Sequence, residues 1–273
     1  MKRSYFAAPY GLWMAVFTIV PIFLIAYYAF TLGGGFSIEN FRMFLEPAFV
    51  GILTFSLWLA FLCTVICLVI GYPAALLLAA KDMKRSSIVV VLFVIPMWMN
   101  FLLRTYAWMT LLEDTGLINR FLEWIGIGRQ RLMYTEQAVL MGMVYNFLPF
   151  MIFPVYSVLS KRDERLLEAA QDLGANAFMT FLRVTFPLSV PGIVSGVTMV
   201  FMPAVTTFVI PRLLGGGTFM MFGDLIENQF LTMDDWHFGS ALSLIMMVLI
   251  LISVGILNRA DPSGQAAEGG GLW

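Results

Sequence analysis

The stretch Glu168-Ala169-Ala170-Gln171-Asp172-Leu173-Gly174, followed by Val184-Thr185-Phe186-Pro187, has residue types and spacing suited to docking rather than to making or breaking bonds. Leu166, Ala169, Ala170, Leu173 and Ala177 recur at spacings of three and four. A helix here therefore carries one narrow apolar face, edged by Arg165, Glu168 and Asp172. The two alanines let a partner's backbone approach closely. Gly174 supplies the left-handed residue that ends the helix, and Pro187 opens the next one. Such a face needs cover, either from a protein groove or from the membrane interface.

Bond-making chemistry is hard to find elsewhere. No Gly-x-x-x-x-Gly-Lys-Ser/Thr cradle occurs, so the chain has no recognisable means of holding ATP. His237 is the sole histidine, which leaves no Cys/His cluster for zinc, and there is no Gly-x-Ser-x-Gly elbow. Ser195 with His237 would make only a remote hydrolytic pair; a small residue and a loop histidine are the simpler reading. Cys63 and Cys67 lie four apart in an apolar run and are expected to pack, without a disulfide.

The elements that must carry the docking stretch are membrane helices. Of 273 residues, 60% are hydrophobic and 12% charged, about half the charged share of an average soluble domain. Apolar runs long enough to cross a bilayer core, which takes roughly 20 residues, lie near 9–31, 48–80, 87–112, 137–160, 187–214 and 239–258. The fold expected is an all-α integral membrane protein of six transmembrane helices. The second run is too long for one straight crossing and should tilt, or continue as helix beyond the bilayer past Gly71-Tyr72-Pro73.

Basic residues set the orientation. With alternating spans, all four lysines fall on one side, together with Arg3, Arg85, Arg162, Arg165, Arg183 and Arg259. That side holds 10 basic and 7 acidic residues; the other holds 6 and 10. The lysine-rich side is expected to be cytoplasmic, with both termini and the docking loop on it. Lys2-Arg3 precedes a run too long for a signal-peptide core, so it is expected to stay as the first span. Residues 1–260 then form the transmembrane domain, with a loop at 161–186. The Gly-rich residues 261–273 form a flexible tail.

The Glu168 to Gly174 spacing resembles the cytoplasmic signature of ABC importer permeases: Glu-Ala-Ala, three residues, Gly, nine residues, Ile-x-Leu-Pro. Pro187 falls at the required distance, while Val184 and Phe186 stand where the family has Ile and Leu. The resemblance implies a type I importer permease fold in which 161–186 carries a coupling helix between spans four and five. Leu166, Leu167, Glu168, Ala169, Ala170, Leu173 and Gly174 would engage a groove of a separate ATPase subunit. Further stretches resemble the permeases of spermidine/putrescine importers: Ile95-Pro96-Met97-Trp98-Met99-Asn100, Arg104-Thr105-Tyr106-Ala107-Trp108, Gly116-Leu117-Ile118-Asn119, Tyr145-Asn146-Phe147-Leu148-Pro149-Phe150 and Asp235-Trp236-His237-Phe238-Gly239. The resemblance implies a heterodimer with a second, similar permease, two ATPase subunits that bind ATP and magnesium, and an external binding protein that delivers polyamine. It implies a bacterial cytoplasmic membrane, no cofactor or metal in this chain, no enzymatic activity of its own and no nucleic-acid partner. Permeases for iron, thiamine or phosphonates remain alternatives, as does a secondary transporter or channel subunit.

A polyamine is a methylene chain bearing several ammonium groups, and it calls for carboxylates and aromatic faces. Candidates are Trp98, Tyr106 and Trp108 in the third span, Tyr145 and Asn146 in the fourth, and Asp224, Glu227, Asp234, Asp235 and Trp236 between the fifth and sixth. The aromatics have a second reading as bilayer anchors. Glu227, Asp234 and Asp235 have three: attracting the cation, holding the binding protein, or simply being solvated. Arg104, a guanidinium within a span, is expected to snorkel or to pair with Glu113 or Asp114. Pro96, Pro149, Pro154, Pro203 and Pro211 should bend the helices that contain them, either to line a cavity or in ordinary packing. In the long connection 113–136, Leu117, Ile118, Phe121, Leu122, Trp124 and Ile125 suggest an interfacial helix facing lipid or the binding protein.

Overall fold

A computed structural model describes residues 10–80, 95, 98–163 and 165–259. Among the described residues five helices are long and apolar enough to cross a membrane: α1 (Tyr10–Ala29), α3 (Pro47–Leu78), α6 (Glu136–Ser160), α8 (Ala177–Thr206) and α11 (Trp236–Arg259). Shorter helices join them: α2 (Glu39–Phe44), α4 (Phe101–Leu112), α5 (Leu117–Trp124), α7 (Arg165–Asp172), α9 (Val209–Leu214) and α10 (Phe222–Leu231). A two-residue hairpin, Thr31–Leu32 against Gly35–Phe36, interrupts the all-α pattern. It turns at Gly33 and Gly34, both at positive φ, as a tight two-residue hairpin loop requires.

The centre of the molecule is the packing of α3, α6 and α8 against one another. Two glycines permit the close approach. A side chain at Gly71 of α3 would meet Met151 Cγ at 3.0 Å, and one at Gly196 of α8 would meet Met151 Sδ at 2.8 Å. Small residues are the usual means by which membrane helices come together, because lipid supplies no hydrophobic drive between them. Met143, Met151, Val155 and Leu159 are buried along the α6 seam. Cys63 and Cys67 are buried and unbridged, and Cys67 Sγ lies 3.7 Å from the Val144 carbonyl. At the periphery, α1 packs against α11 and exposes nearly all its remaining surface.

The second run forms one helix straight through Gly71-Tyr72-Pro73. At 32 residues and 1.5 Å each it is about 48 Å long, well beyond a bilayer core of about 30 Å. Two other expected spans differ from their sequence boundaries. The run 187–214 is not one helix: α8 begins at Ala177 and stops at Thr206, Thr207 is extended, and α9 is a separate short helix. Gly223 fits against this break, where a Cβ would lie 2.4 Å from the Thr206 carbonyl oxygen. The run 87–112 is interrupted too. Asn100 Oδ1 accepts from the Leu102 and Leu103 N–H groups at 2.8 and 3.4 Å, capping α4 as a new helix of 12 residues. The rest of that expected third span, 87–94 with Pro96 and Met97, falls outside the described residues, as do the 261–273 tail and the first nine residues.

Candidate functional site

The docking segment is built from local capping. Asp163 Oδ1 accepts from the Arg165 N–H at 3.0 Å and opens α7. At its end, Ala175 N–H donates to the Ala170 carbonyl at 3.0 Å, and Gly174 N–H donates to Gln171 at 2.8 Å, with Gly174 at φ 84°. That pair of bonds is the Schellman closure, which needs a residue in the left-handed region. Asn176 Oδ1 then caps the next helix through the Met179 N–H at 2.8 Å. The second half of the expected loop is therefore already helix, with a π-helical turn over Phe181–Thr185 before α8 continues.

No residue of α7 is buried. Leu167 and Ala170 are partly covered, while Leu166, Glu168 and Ala169 are exposed, and Leu173 is 89% exposed. Phe178 and Leu182 extend the exposed apolar surface into the following turn. Placed at the end of α6 opposite Glu136, this is an apolar stripe projecting from the body of the helices.

The ten residues expected along a substrate route divide into separate clusters. In the first, the Trp108 and Tyr145 rings meet edge to face at 5.3 Å across α4 and α6. Tyr106 is exposed on the same short helix, and Asn146 is buried, its Nδ2 donating to the Gly142 carbonyl at 2.8 Å while Oδ1 finds no partner among the described residues. Trp98 stands before the break at Asn100 and is 86% exposed. It is thus not part of the helix that carries Tyr106 and Trp108.

The second cluster lies on α9 and α10. Arg212 and Glu227 form a two-pronged ion pair, Nη1 to Oε1 at 3.0 Å and Nη2 to Oε2 at 2.9 Å. Asp224 Oδ2 accepts from the Met221 N–H at 3.1 Å, closing the first turn of α10. Burial pushes the Asp224 carboxyl up to about 6, against the lowering effect of that N–H and of Arg212; Glu227 adds to the rise. A cavity of about 160 Å³ opens between Arg212, Gly217, Phe219, Met220, Asp224 and Asn228. The two clusters are linked through α9, which packs on α4 and α6. Gly142 makes this possible, since a Cβ there would sit 2.3 Å from Leu214 Cδ1.

The third cluster holds Asp234, Asp235 and Trp236 at the corner before α11. Trp236 Nε1 donates to Asp234 Oδ1 at 2.9 Å, and Asp235 Oδ1 accepts from the Phe238 N–H at 3.0 Å. The Trp236 ring lies 5.4 Å from Phe230 and 6.3 Å from Tyr28. His237 Nδ1 sits 3.0 Å from the Tyr28 carbonyl oxygen and 3.4 Å from Thr31 Oγ1. The lone histidine thus ties the end of α1 to the start of α11 and has no contact with Ser195.

One expectation fails outright. Arg104 is buried, and its Nε and Nη1 have no partner among the described residues; neither Glu113 nor Asp114 pairs with it. Those two carboxylates instead border a separate cavity with Arg131 and Tyr134, because α4 ends at Leu112 and the chain turns away. The partners that matter most were also absent from the sequence reading: Arg212 for Glu227, and Ser56, whose Oγ accepts from the Phe222 N–H at 2.8 Å.

Comparison with known proteins fits this geometry. The family model described as "Binding-protein-dependent transport system inner membrane component" matches residues 68–263. The chain is 36% identical to the spermidine/putrescine transport system permease protein PotB of Escherichia coli (strain K12), covering 91% of this chain and 94% of that protein. It is 38% identical to the protein of the same name from Haemophilus influenzae, covering 91% and 90%. Its fold matches a chain of a bacterial alginate ABC transporter crystallised with an alginate pentasaccharide-bound periplasmic protein, at TM-score 0.81 and 18% identity over 95% of this chain and 93% of that one. An exposed capped helix between two membrane helices and a family match spanning both lead to one assignment: the chain belongs to the inner-membrane components of binding-protein-dependent transport systems, as a multi-pass ABC importer permease of bacterial inner membranes.

Proposed function

We propose that this permease carries polyamines inward. The observation that carries the reading is the identity of 36–38% to spermidine/putrescine permeases over 91% of the chain and 90–94% of those relatives' own length. The clusters of carboxylates and aromatics opposite the docking segment support it chemically, since they offer both the charge and the flat faces that a polyamine needs. The permease makes no bond itself. ATP and magnesium belong to a pair of partner ATPase subunits, a second similar permease completes the pathway, and an external binding protein hands over the cargo.

In this arrangement α7 and the turn that follows form the coupling element, with Leu166, Leu167, Glu168, Ala169, Ala170, Leu173 and Gly174 in the ATPase groove. The exposed stripe supports that role, because a face with Leu173 outermost is costly to leave in water. The lysine-rich side and both termini face the cytoplasm, residues 1–260 form the permease domain and 261–273 a tail. ATP-driven closure of the ATPases would displace α7 and swing α8, converting inward-facing to outward-facing states through their different affinities for the nucleotide-bound partner.

The test is uptake by proteoliposomes holding the permease with its partner permease, ATPase and binding protein. Spermidine or putrescine should accumulate only with ATP inside and binding protein outside. Accumulation of another solute in place of any polyamine would overturn the cargo; uptake without the ATPase would overturn the class.

A further inference from the structure

We infer that α5 is a lipid-binding element, seated on the bilayer surface at the end of the molecule opposite the docking segment. Its side chains are arranged with the polar residue inward. Asn119 has 0% exposure and makes three hydrogen bonds: Nδ2 donates to the Glu113 carbonyl at 3.1 Å and the Gln130 carbonyl at 3.0 Å, and Oδ1 accepts from the Gln130 N–H at 2.9 Å. This clamp fixes the rotation of the helix. Ile118 and Leu122 turn toward the protein, and Leu117, Phe121, Trp124 and Ile125 are left facing out, with Trp124 81% exposed. At 100° per residue these four fall in one arc of about 100°, flanked by Arg120 and, further round, Glu123. Glu123 is itself held by Arg129 Nε at 2.6 Å.

Lipid fits this arc better than a protein partner. The helix follows α4 through a turn of four residues, and Leu102, Leu103 and Tyr106 of α4 are exposed and apolar as well. Two turns of helix offer far less than the roughly 800 Å² per partner of a standard protein interface. A short amphipathic helix with Trp and Phe on one edge and paired charges beside them has the chemistry of the headgroup boundary. Seated there, α5 would hold the ends of α4 and α6, and with them the Trp108–Tyr145 contact, at a fixed depth.

The assembled transporter in proteoliposomes provides the test. Spin labels are placed singly at Leu117→Cys, Phe121→Cys, Trp124→Cys, Arg120→Cys and Glu123→Cys in a Cys63→Ala, Cys67→Ala background. Collision with dissolved oxygen is compared with collision with a water-soluble nickel chelate. Positions 117, 121 and 124 should favour oxygen, and 120 and 123 should favour nickel. Equal nickel access at all five positions would show a solvated helix and overturn the inference. Exclusion of both reagents at 117, 121 and 124 would show a protein partner and overturn it equally; omitting the binding protein would then tell whether that partner is the binding protein or the second permease. The readout is independent of cargo, so it stands or falls apart from polyamine uptake.

Discussion

The Tyr72 hydroxyl lies 3.1 Å from Ser189 Oγ, joining the last turns of α3 to α8 about three turns beyond its start. The Tyr72 ring also sits 6.0 Å from Phe181, the first residue of the π-helical turn, and 6.2 Å from Phe186, which follows it. A π-turn is a local widening of the helix and often marks a functional position. Any displacement of α7 must pass this clamp before it reaches the spanning part of α8.

Tyr72→Phe removes the hydrogen bond and keeps the ring, so it should cost about 0.5–1.5 kcal/mol of stability. Tyr72→Ala removes both. The number of cargo molecules moved per ATP hydrolysed should fall slightly in the first variant and sharply in the second. An unchanged ratio in Tyr72→Ala would show that force does not travel through this contact.

Ala169→Asp places a charge in the centre of the exposed stripe. If the stripe sits in an ATPase groove, burying that unpaired carboxylate should abolish uptake and weaken retention of the ATPase, while membrane insertion stays normal. Gly174→Val should act through the backbone, since φ 84° strains a β-branched residue by about 1–3 kcal/mol. Normal ATPase retention by the Ala169→Asp permease would remove α7 from the contact.

What the sequence disclosed was set by how local each cause is. Apolar length and the Gly174 closure depend on neighbouring residues, so the main helices and the docking stretch were legible. The break at Thr207 was hidden because it depends on Gly223, which approaches from another element. The interruption at Asn100 rests on one side chain turning back to cap, inside a run whose composition still reads as a span. The candidate route was legible as residue types only. Its carboxylates turned out to be engaged: Glu227 by Arg212, Asp224 by the Met221 N–H, Asp235 by the Phe238 N–H. No spacing rule connects Arg212 to Glu227, because the intervening chain turns twice.

That engagement separates structural from cargo roles at Glu227. Glu227→Gln should leave Arg212 without its counter-charge and reduce uptake. If the pair is structural, Arg212→Gln combined with Glu227→Gln should recover much of the loss, as shown by a double-mutant cycle on uptake rate. Additive losses would assign the carboxylate to the cation instead.

Asp224 should make stability depend on pH. Its carboxyl is raised to about 6 in the folded chain from 3.8, so the folded state holds a proton that the unfolded state has lost between those values. Stability therefore falls as pH rises from about 4 to about 6 and then levels, with a total on the order of 1–3 kcal/mol. Asp224→Asn keeps an acceptor for the Met221 N–H and should flatten that part of the pH profile in thermal unfolding of the detergent-solubilised complex. An unchanged slope would place the titration elsewhere.

Cargo chemistry is tested most directly at the corner before α11 and at Trp98. Asp234 and Asp235 each hold one local hydrogen bond through Oδ1, which an amide oxygen can replace, so Asp234→Asn and Asp235→Asn remove charge with little change of shape. A carboxylate that pairs with an ammonium in a partly dry passage contributes about 1.5–3 kcal/mol, enough for a severalfold or greater fall in spermidine uptake. A solvated acid contributes almost nothing. At least one of Asp234→Asn, Asp235→Asn and Glu227→Gln should therefore slow spermidine uptake while docking of the binding protein, measured separately, is unchanged. Trp98→Ala should do the same if its exposed ring meets the methylene chain. If all four variants transport at the parental rate, the acidic and aromatic residues are not the route; if docking weakens in step with uptake, they belong to the binding-protein contact.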